Sequence, residues 1–433
     1  MKILLTTPYI PYPLDSGGNQ AVFSMLEAIS RQHRLTVVFN GREDDNARSL
    51  EQMLPQVRFI FFNGGGGSRN PFTPYGLADG KYRLRSYLAA SFQRKLGRFL
   101  YRHSDEDCLS KAFPRRKSCL TNMILSQNVN HPFYLFFAQL AKEGDYDAVQ
   151  VEFYDNLQLA YYLPKDIVKI FVHHEIRHIR IANEISLYED GCLEDLVLYE
   201  KAKDHELAML KRFDHIITLT ETDKEILSKD LPDARIYASP AIVKVREPLS
   251  FKAVRNELVF CGSGSHYPNM DGLLWFCRQV WPILREKDDS FTIFVTGSWS
   301  KQIQKQLLQL CPRLVFVGFV ENLHHFINGK ISIIPIRIGS GMRMKVLDSI
   351  FASSPFIITS KGIEGQNFVS GKDCIIADGA DDFAAGILRL QNTPAFQEEL
   401  SRNALEKIRR DYDPETMKRI RLEIYEQIEK ISK

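Results

Sequence analysis

The sequence predicts an α/β protein built from two doubly wound parallel-sheet (Rossmann-like) domains, and three observations carry that reading. Short apolar runs alternate with helix-period segments along most of the chain. The alternation forms two series separated by an irregular stretch, and glycine turns recur where a strand passes into a helix. At 433 residues the chain exceeds what one core usually organises, which fits two large domains.

In the first series, strands are expected at Lys2–Thr6, Leu35–Phe39, Val57–Phe62, Ala148–Val151, Val168–Val172 and His215–Leu219, each followed by a helix or by a loop entering one. Ser239–Asn256 (SPAIVKVREPLSFKAVRN) holds two prolines, has no clean period and reads as a linker. The second series places strands at Glu257–Cys261, Phe291–Val295, Leu314–Val317, Ile331–Pro335, Phe356–Ile358 and Cys374–Ile376. The domains expected are therefore residues 1–240 and 256–410, followed by a last helix over 411–433 that starts at an Asp-Tyr-Asp-Pro break and can pack back on the first domain.

One segment breaks the alternation. Residues 64–130 open on four glycines and carry twelve Lys or Arg against four acids, a net +8. Within it Leu84, Leu88, Phe92, Leu96 and Leu100 form an i, i+4 stripe. Two readings fit: a helix lying on a membrane surface, or a helical insertion packed on its own domain with a solvated basic face.

The remaining composition narrows the class. With 44% hydrophobic and 25% charged residues and a mean hydropathy of -0.22, the chain reads as soluble and globular. A net charge of only +3 argues against a dedicated nucleic-acid binder. The apolar N-terminal run is too short for a secretory signal, and no run is long enough to span a bilayer, so the expected location is the cytoplasm or the inner face of a membrane. Seven scattered cysteines without a Cys-x-x-Cys pair read as reduced, idle thiols.

The strongest chemical signal is ISIIPIRIGSGMRMKVLDSI at Ile331–Ile350. A strand that passes through Gly339 and Gly341 into a helix leaves backbone N–H groups and the positive end of the helix dipole at one place, which suits phosphate. Arg343 adds a planar fork, Lys345 a mobile point charge and Asp348 an acceptor for ribose or sugar hydroxyls, so the set points to a nucleotide diphosphate. The alternative is an ordinary turn with a solvated basic face. Gly17 and Gly18 open a helix after the first strand, either to admit a ligand close to the backbone or simply to ease the helix start, with Asp15 or Ser16 as cap. Gly262 and Ser263 follow another strand, and Val320 sits in a turn placed to hold a base by backbone contacts.

His174-Glu175-Ile176-Arg177-His178 matches the H-E-x-x-H zinc-protease pattern, with Glu194 or Glu200 as a third ligand. The pattern follows a sheet-like strand in a doubly wound series, which favours a different use. His173, His174 and Glu175 lie past the carboxyl end of a parallel strand, where a histidine can donate to a sugar hydroxyl or phosphate. Glu152 and Glu221 follow two further strands and are softer candidates, Glu221 reading equally as a carboxylate in the first turn of a helix, stabilised by its dipole.

Taken together, the glycine pair after the first strand, FCGSGSHYPNMDGLLWFCRQVWPIL at Phe260–Leu284, VGFVENL at Val317–Leu323 and PIRIGSGMRMKVLDSIFASSPFIITSKGIEG at Pro335–Gly365 resemble the retaining glycosyltransferases of family 4, also called group 1, which have the GT-B fold. The resemblance implies two domains facing across a cleft and a metal-independent hexosyl transfer, with no cofactor and a UDP- or GDP-sugar as donor. It implies catalytic roles for His174, Arg343 and Lys345, with the diphosphate at the two cations. Donor contacts fall to Gly17, Gly18, Gly262, Ser263, Val320, Ser340, Gly341, Met342 and Asp348, and the acceptor side to Glu152, His173 and Glu175. Many members carry two glutamates eight positions apart; here those positions hold Ser340 and Asp348. The implied partners are a nucleotide-sugar and a glycan or lipid-linked acceptor of cell-surface polysaccharide synthesis, with the basic segment as a peripheral membrane contact and no nucleic acid. Three competing readings stand beside it: a non-catalytic nucleotide-sugar-binding module, a sugar epimerase and the zinc protease.

Overall fold

The computed structural model describes residues 1–14, 17–63, 131–187, 193–242 and 247–432. The basic segment at 64–130 with its leucine stripe, the capping pair Asp15 and Ser16, and Cys108, Cys119 and Cys192 lie outside the described residues, as does the side chain of Glu194.

Two all-parallel sheets organise the chain. Strands β1 (Lys2–Thr6), β2 (Arg34–Asn40), β3 (Arg58–Phe62), β4 (Ala148–Glu152), β5 (Val168–His173), β6 (His215–Thr218) and β7 (Arg235–Ala238) run in the order β3-β2-β1-β4-β5-β6-β7. Strands β8 (Glu257–Phe260), β9 (Thr292–Thr296), β10 (Leu314–Gly318), β11 (Ile331–Ile334), β12 (Phe356–Ile358) and β13 (Ile375–Ile376) run in the order β10-β9-β8-β11-β12-β13. In each sheet the order reverses at the first strand of the series, between β1 and β4 and between β8 and β11. Such switch points open a crevice at the carboxyl ends of the strands, and both crevices are used here. The central strands are apolar because helices cover both faces: all five residues of β4 and all four of β11 are buried. Strand β7 was not expected from the sequence; it is an edge strand of four residues, RIYA, too short and mixed to present an apolar run.

The helices that frame the cleft are α1 (Gly17–Ile29), α2 (Arg177–Ser186), α3 (Leu193–Leu210), α4 (Glu221–Asp230), α5 (Tyr267–Trp275), α6 (Leu323–Ile327), α7 (Met344–Phe351) and the last helix, α8 (Pro414–Ser432). The residues of α8 that face inward, Arg421, Ile424, Tyr425 and Ile428, recur at i, i+3, i+4 and i+7. The last three join the apolar face of the first sheet formed by Ile3, Leu5, Ala148, Ile170 and Val172. Each such side chain, once buried, contributes roughly 1.5–3 kcal/mol. The end of the chain is thus fixed to its beginning. Among the described residues no helix is long and apolar enough to cross a membrane, and the four cysteines they contain are free.

Candidate active site

Residues just past the carboxyl ends of strands from both sheets line one cavity of about 1170 Å³. From the first domain come Tyr9, Gly18, Phe153, His174 and Glu175; from the second come Gly262, Ser263, Val320, Ser340, Met342, Arg343, Lys345 and Asp348.

On the first side, His174 is fixed from behind and from the flank. Its Nε2 lies 2.6 Å from Glu152, a fully buried carboxylate at the end of β4. A carboxylate only accepts, so Nε2 carries the hydrogen and Nδ1 is left without one in the neutral ring. Phe153 stacks on the imidazole, with centroids 3.7 Å apart and planes 9° from parallel. To do so Phe153 adopts φ 66° and ψ 150°, a region that only glycine occupies readily. Backbone strain therefore sits at the residue that orients the histidine.

On the second side, α7 begins at the cavity. Its N-cap, Arg343, is extended and makes no side-chain capping bond, and no acid lies in the first turn. Lys345 Nζ donates to Asn269 Oδ1 at 2.6 Å, while Asn269 Nδ2 donates to the Ser263 carbonyl at 3.0 Å. These two bonds fix the amide's orientation and explain Gly262, where an added Cβ would come within 2.5 Å of Asn269 Nδ2. Burial pushes the Lys345 ammonium down to about 8. Asp348, a turn further on, accepts from His324 Nε2 of α6 at 3.1 Å. Arg343 donates from Nη1 to the Ser340 carbonyl, and its Nε–H has no protein partner. Glu175 stands opposite; burial raises its pKa, but Arg180 and Arg177, with His266 and Arg343, outweigh that and hold it at about 2.

The glycine turn between β11 and α7 also closes the seam between the domains. Gly339 N–H donates to Asn183 Oδ1 at 3.2 Å, Gly341 N–H donates to Asp223 Oδ2 at 3.1 Å, and Ser340 Oγ accepts the Ile176 N–H at 2.7 Å. Gly341 has φ +78°, and an added Cβ would lie 2.2 Å from the His174 carbonyl oxygen.

These contacts correct several expectations. Gly341 does not line the cavity, and its N–H faces Asp223 instead of a phosphate. The Ser340 hydroxyl accepts a bond across the seam and keeps its O–H to donate, and the residue lines the cavity. Glu152 and His173 are buried and do not line it: Glu152 backs His174, and His173 Nε2 lies 2.9 Å from the buried Glu206. Glu221 is a first-turn carboxylate of α4, ion-paired with Lys224 at 3.0 Å. Gly17 is the first residue of α1, and Gly18 reaches the cavity. The zinc reading fails on geometry. His174 precedes α2 and bonds Glu152, whereas His178 is inside α2 and bonds Glu206 at 2.7 Å, so the two rings do not share a helix face. Among the described residues no group of three or more His, Cys, Asp or Glu is arranged to hold a metal ion. Sequence reasoning missed Phe153, Asn269, Asp223, Glu206 and His324. For Phe153 and Asn269 a positional signal existed, next to a strand end and five residues past a glycine turn; Asp223 carried only a local capping signal with Thr220, and nothing in the sequence pointed to the distant seam partner of Asp223 or to the partners of Glu206.

Comparison with known proteins agrees with this geometry. Residues 255–393 match the family model of "Glycosyl transferases group 1". A Klebsiella pneumoniae protein described as an uncharacterized 44.6 kDa protein in the cps region is 24% identical over 185 residues, 40% of this chain, and the match spans about half (48%) of that relative. Among solved structures, sucrose-phosphate synthase from Thermosynechococcus elongatus superposes with a TM-score of 0.66 at 14% identity, covering 99% of this chain and 98% of its own. A TarM variant from S. aureus, in complex with Fondaparinux, alpha-GlcNAc-glycerol and UDP, gives 0.63 at 11% identity over 98% and 100%. Anabaena HepE in complex with UDP and glucose gives 0.61 at 11% over 99% and 100%. At such identities the structures speak for the fold, and the family model speaks for the second domain. Residues 255–393 are thus similar to the group 1 glycosyltransferases, and the two sheets give the chain the GT-B fold.

Proposed function

We propose that the protein transfers a hexosyl unit, with retention at the anomeric carbon, from a nucleotide-diphosphate sugar to a glycan or lipid-linked acceptor of cell-surface polysaccharide synthesis. One observation carries the reading: the uncapped start of α7, with Arg343, Lys345 and Asp348, opens into the same cavity as His174 and Gly18 of the other domain. Breaking the bond between the anomeric carbon and the phosphate oxygen builds negative charge on the leaving diphosphate. Lys345, Arg343 and the helix N-terminus stabilise that charge, and Asp348 takes a ribose hydroxyl. His174, with Nδ1 free, faces the sugar, and Val320 lies at the base. The UDP in two of the similar structures supports a uridine or related donor. The relative in a cps region supports polysaccharide synthesis, and the +8 segment at 64–130 suits an acceptor borne at the inner face of a membrane.

Incubation of the purified protein with UDP- and GDP-sugars, with and without excess chelator, tests the proposal. Lys345→Ala and Arg343→Ala should each lower turnover by about 10²–10³, the loss typical of one well-placed charge stabiliser. Normal turnover in both variants at saturating donor would overturn the assignment. The bond from Ser340 to the seam favours one second reading, a non-catalytic binding module; donor binding without hydrolysis or transfer would establish it.

A further inference from the structure

A buried chain of hydrogen bonds joins the last helix to the histidine of the cavity. Tyr425 Oη of α8 lies 2.5 Å from Gln150 Oε1, Gln150 Nε2 lies 2.5 Å from Glu152 Oε1, and Glu152 Oε2 lies 2.6 Å from His174 Nε2. Tyr425, Gln150 and Glu152 have no exposed surface. Gln150 and Glu152 alternate along β4, so both project to the face that α8 covers.

The direction of every bond in the chain follows from its one carboxylate. Glu152 accepts only, so Gln150 must present its NH₂ to it and its carbonyl oxygen to Tyr425, whose hydroxyl must then donate. On its other oxygen Glu152 receives His174 Nε2–H. Without the phenol, Gln150 Oε1 is a buried acceptor with no donor, and the amide that holds Glu152 in place loses its anchor on the helix side. Arg421, one turn earlier on α8, lines a small void of about 10 Å³ together with Glu152 and His174, so the helix meets the dyad at two places.

We infer that Tyr425 is a positioning residue for His174: through Gln150 and Glu152 it holds the imidazole with hydrogen on Nε2 and Nδ1 toward the cavity. The inference rests on the proposed transferase for its effect on rate, but the state of the ring can be read without activity. Full-length protein labelled with ¹⁵N in histidine, with His174→Gln to assign the signal, reports the tautomer at alkaline pH. The parent should show the Nε2–H form alone, and Tyr425→Phe a mixture of the two forms. An unchanged single form in Tyr425→Phe overturns the inference whatever the protein catalyses. In a transfer assay, Tyr425→Phe should lower kcat about fivefold or more without changing the Kd for UDP. It should have no further effect in a His174→Gln background, because the two act as one unit. Ile424→Ala, an apolar truncation on the same helix, should lower Tm without lowering kcat below its transition. An equal loss of kcat in Ile424→Ala would make the role of α8 purely structural.

Discussion

Two helices begin at the edge of the cavity, and they begin in opposite ways. Helix α2 starts after Glu175, and its first N–H groups, those of Arg177 and His178, donate to the carboxylate of Glu206 at 2.9 and 2.8 Å. Glu206 also accepts from His178 Nδ1 and is wholly buried. Helix α7 starts after Arg343 with no side-chain cap, no acid in its first turn and a lysine at its second position. A cation there opposes the helix dipole and costs the isolated helix about 0.3–1 kcal/mol. The difference supports the proposed place of the anion: the positive end of α2 is already neutralised inside the protein, while that of α7 is kept open and reinforced, so on the proposed reading a diphosphate binds the second domain.

The largest way to break this contrast is to empty the filled end. Burial pushes the Glu206 pKa up, but hydrogen bonds from His173 and His178 outweigh it and hold the carboxyl well below its usual range. A depressed carboxylate stabilises the fold above its unfolded pKa, and that contribution is lost as pH falls. Glu206→Ala leaves two helix N–H groups and two histidines without their partner and should cost about 3–5 kcal/mol, read by chemical denaturation. In the fraction that stays folded, UDP affinity should match the parent. A folded variant that had lost UDP binding would put the anion at α2 and reverse the comparison.

A second perturbation acts on the seam. Gly341→Ala combines a positive φ with a contact of 2.2 Å to a backbone carbonyl, so the domains must separate locally. It should cost about 1–3 kcal/mol of stability and, on the proposed reading, lower kcat more than UDP affinity, because that reading places the nucleotide on the second domain. Gly339→Ala is strained too, at φ +116°, but there the added atom meets mainly the ends of the Arg343 and Glu175 side chains, which can move, so its defect at the seam itself should be the milder. Equal defects in the two variants would show that the seam does not depend on Gly341.

A third acts on the open end itself. Met344→Asp places a carboxylate in the first turn of α7, as Glu206 does for α2. It should stabilise the helix by about 0.3–1 kcal/mol and weaken UDP binding about tenfold, or 1.4 kcal/mol. Calorimetric titration with UDP reads the second effect and thermal unfolding the first. Tighter UDP binding would mean that the diphosphate does not approach this terminus.

The contrast also shows what a sequence carries and what it withholds. Parallel strands declare themselves as apolar runs, even at the part-exposed edges β3 and β10, so β1 to β6 and β8 to β13 were legible, while β7, with only Ile236 and Tyr237 between Arg235 and Ala238, was not. Arg343, Lys345 and Asp348 were legible because they lie within six residues on one turn and helix. The same turn misled at Gly341: local spacing suggested N–H groups free for a ligand, and only tertiary contact revealed Asp223 as the partner of Gly341, and Ile176 as that of Ser340, whose donor role came from the resemblance alone. His174 was legible as a strand-end residue. Its backing by Glu152, Gln150 and Tyr425 was not, since that chain spans 275 residues from Gln150 to Tyr425. Cavity residues on the one turn and helix cluster in sequence, and the residues that back His174 do not.

The smallest expected effect is a pH dependence, and it tests the open end without altering its shape. Burial lowers Lys345 to about 8, with Arg343 adding to the shift and Asp348 opposing it. A lysine whose pKa is depressed loses its charge as pH rises through that value, so between pH 7 and 9 the free protein passes from mostly charged to mostly neutral at this position. A diphosphate requires the charged form and draws its proton back on binding. Apparent affinity for UDP should therefore fall by up to about tenfold over the interval, the limit of one proton over one pH unit above the pKa. Lys345→Arg keeps its charge throughout and should flatten the profile even if its longer reach weakens binding at pH 7. If the parent profile were already flat, or Lys345→Arg fell as steeply, the titrating group would lie elsewhere and Lys345 would be a spectator at a terminus held open for another reason.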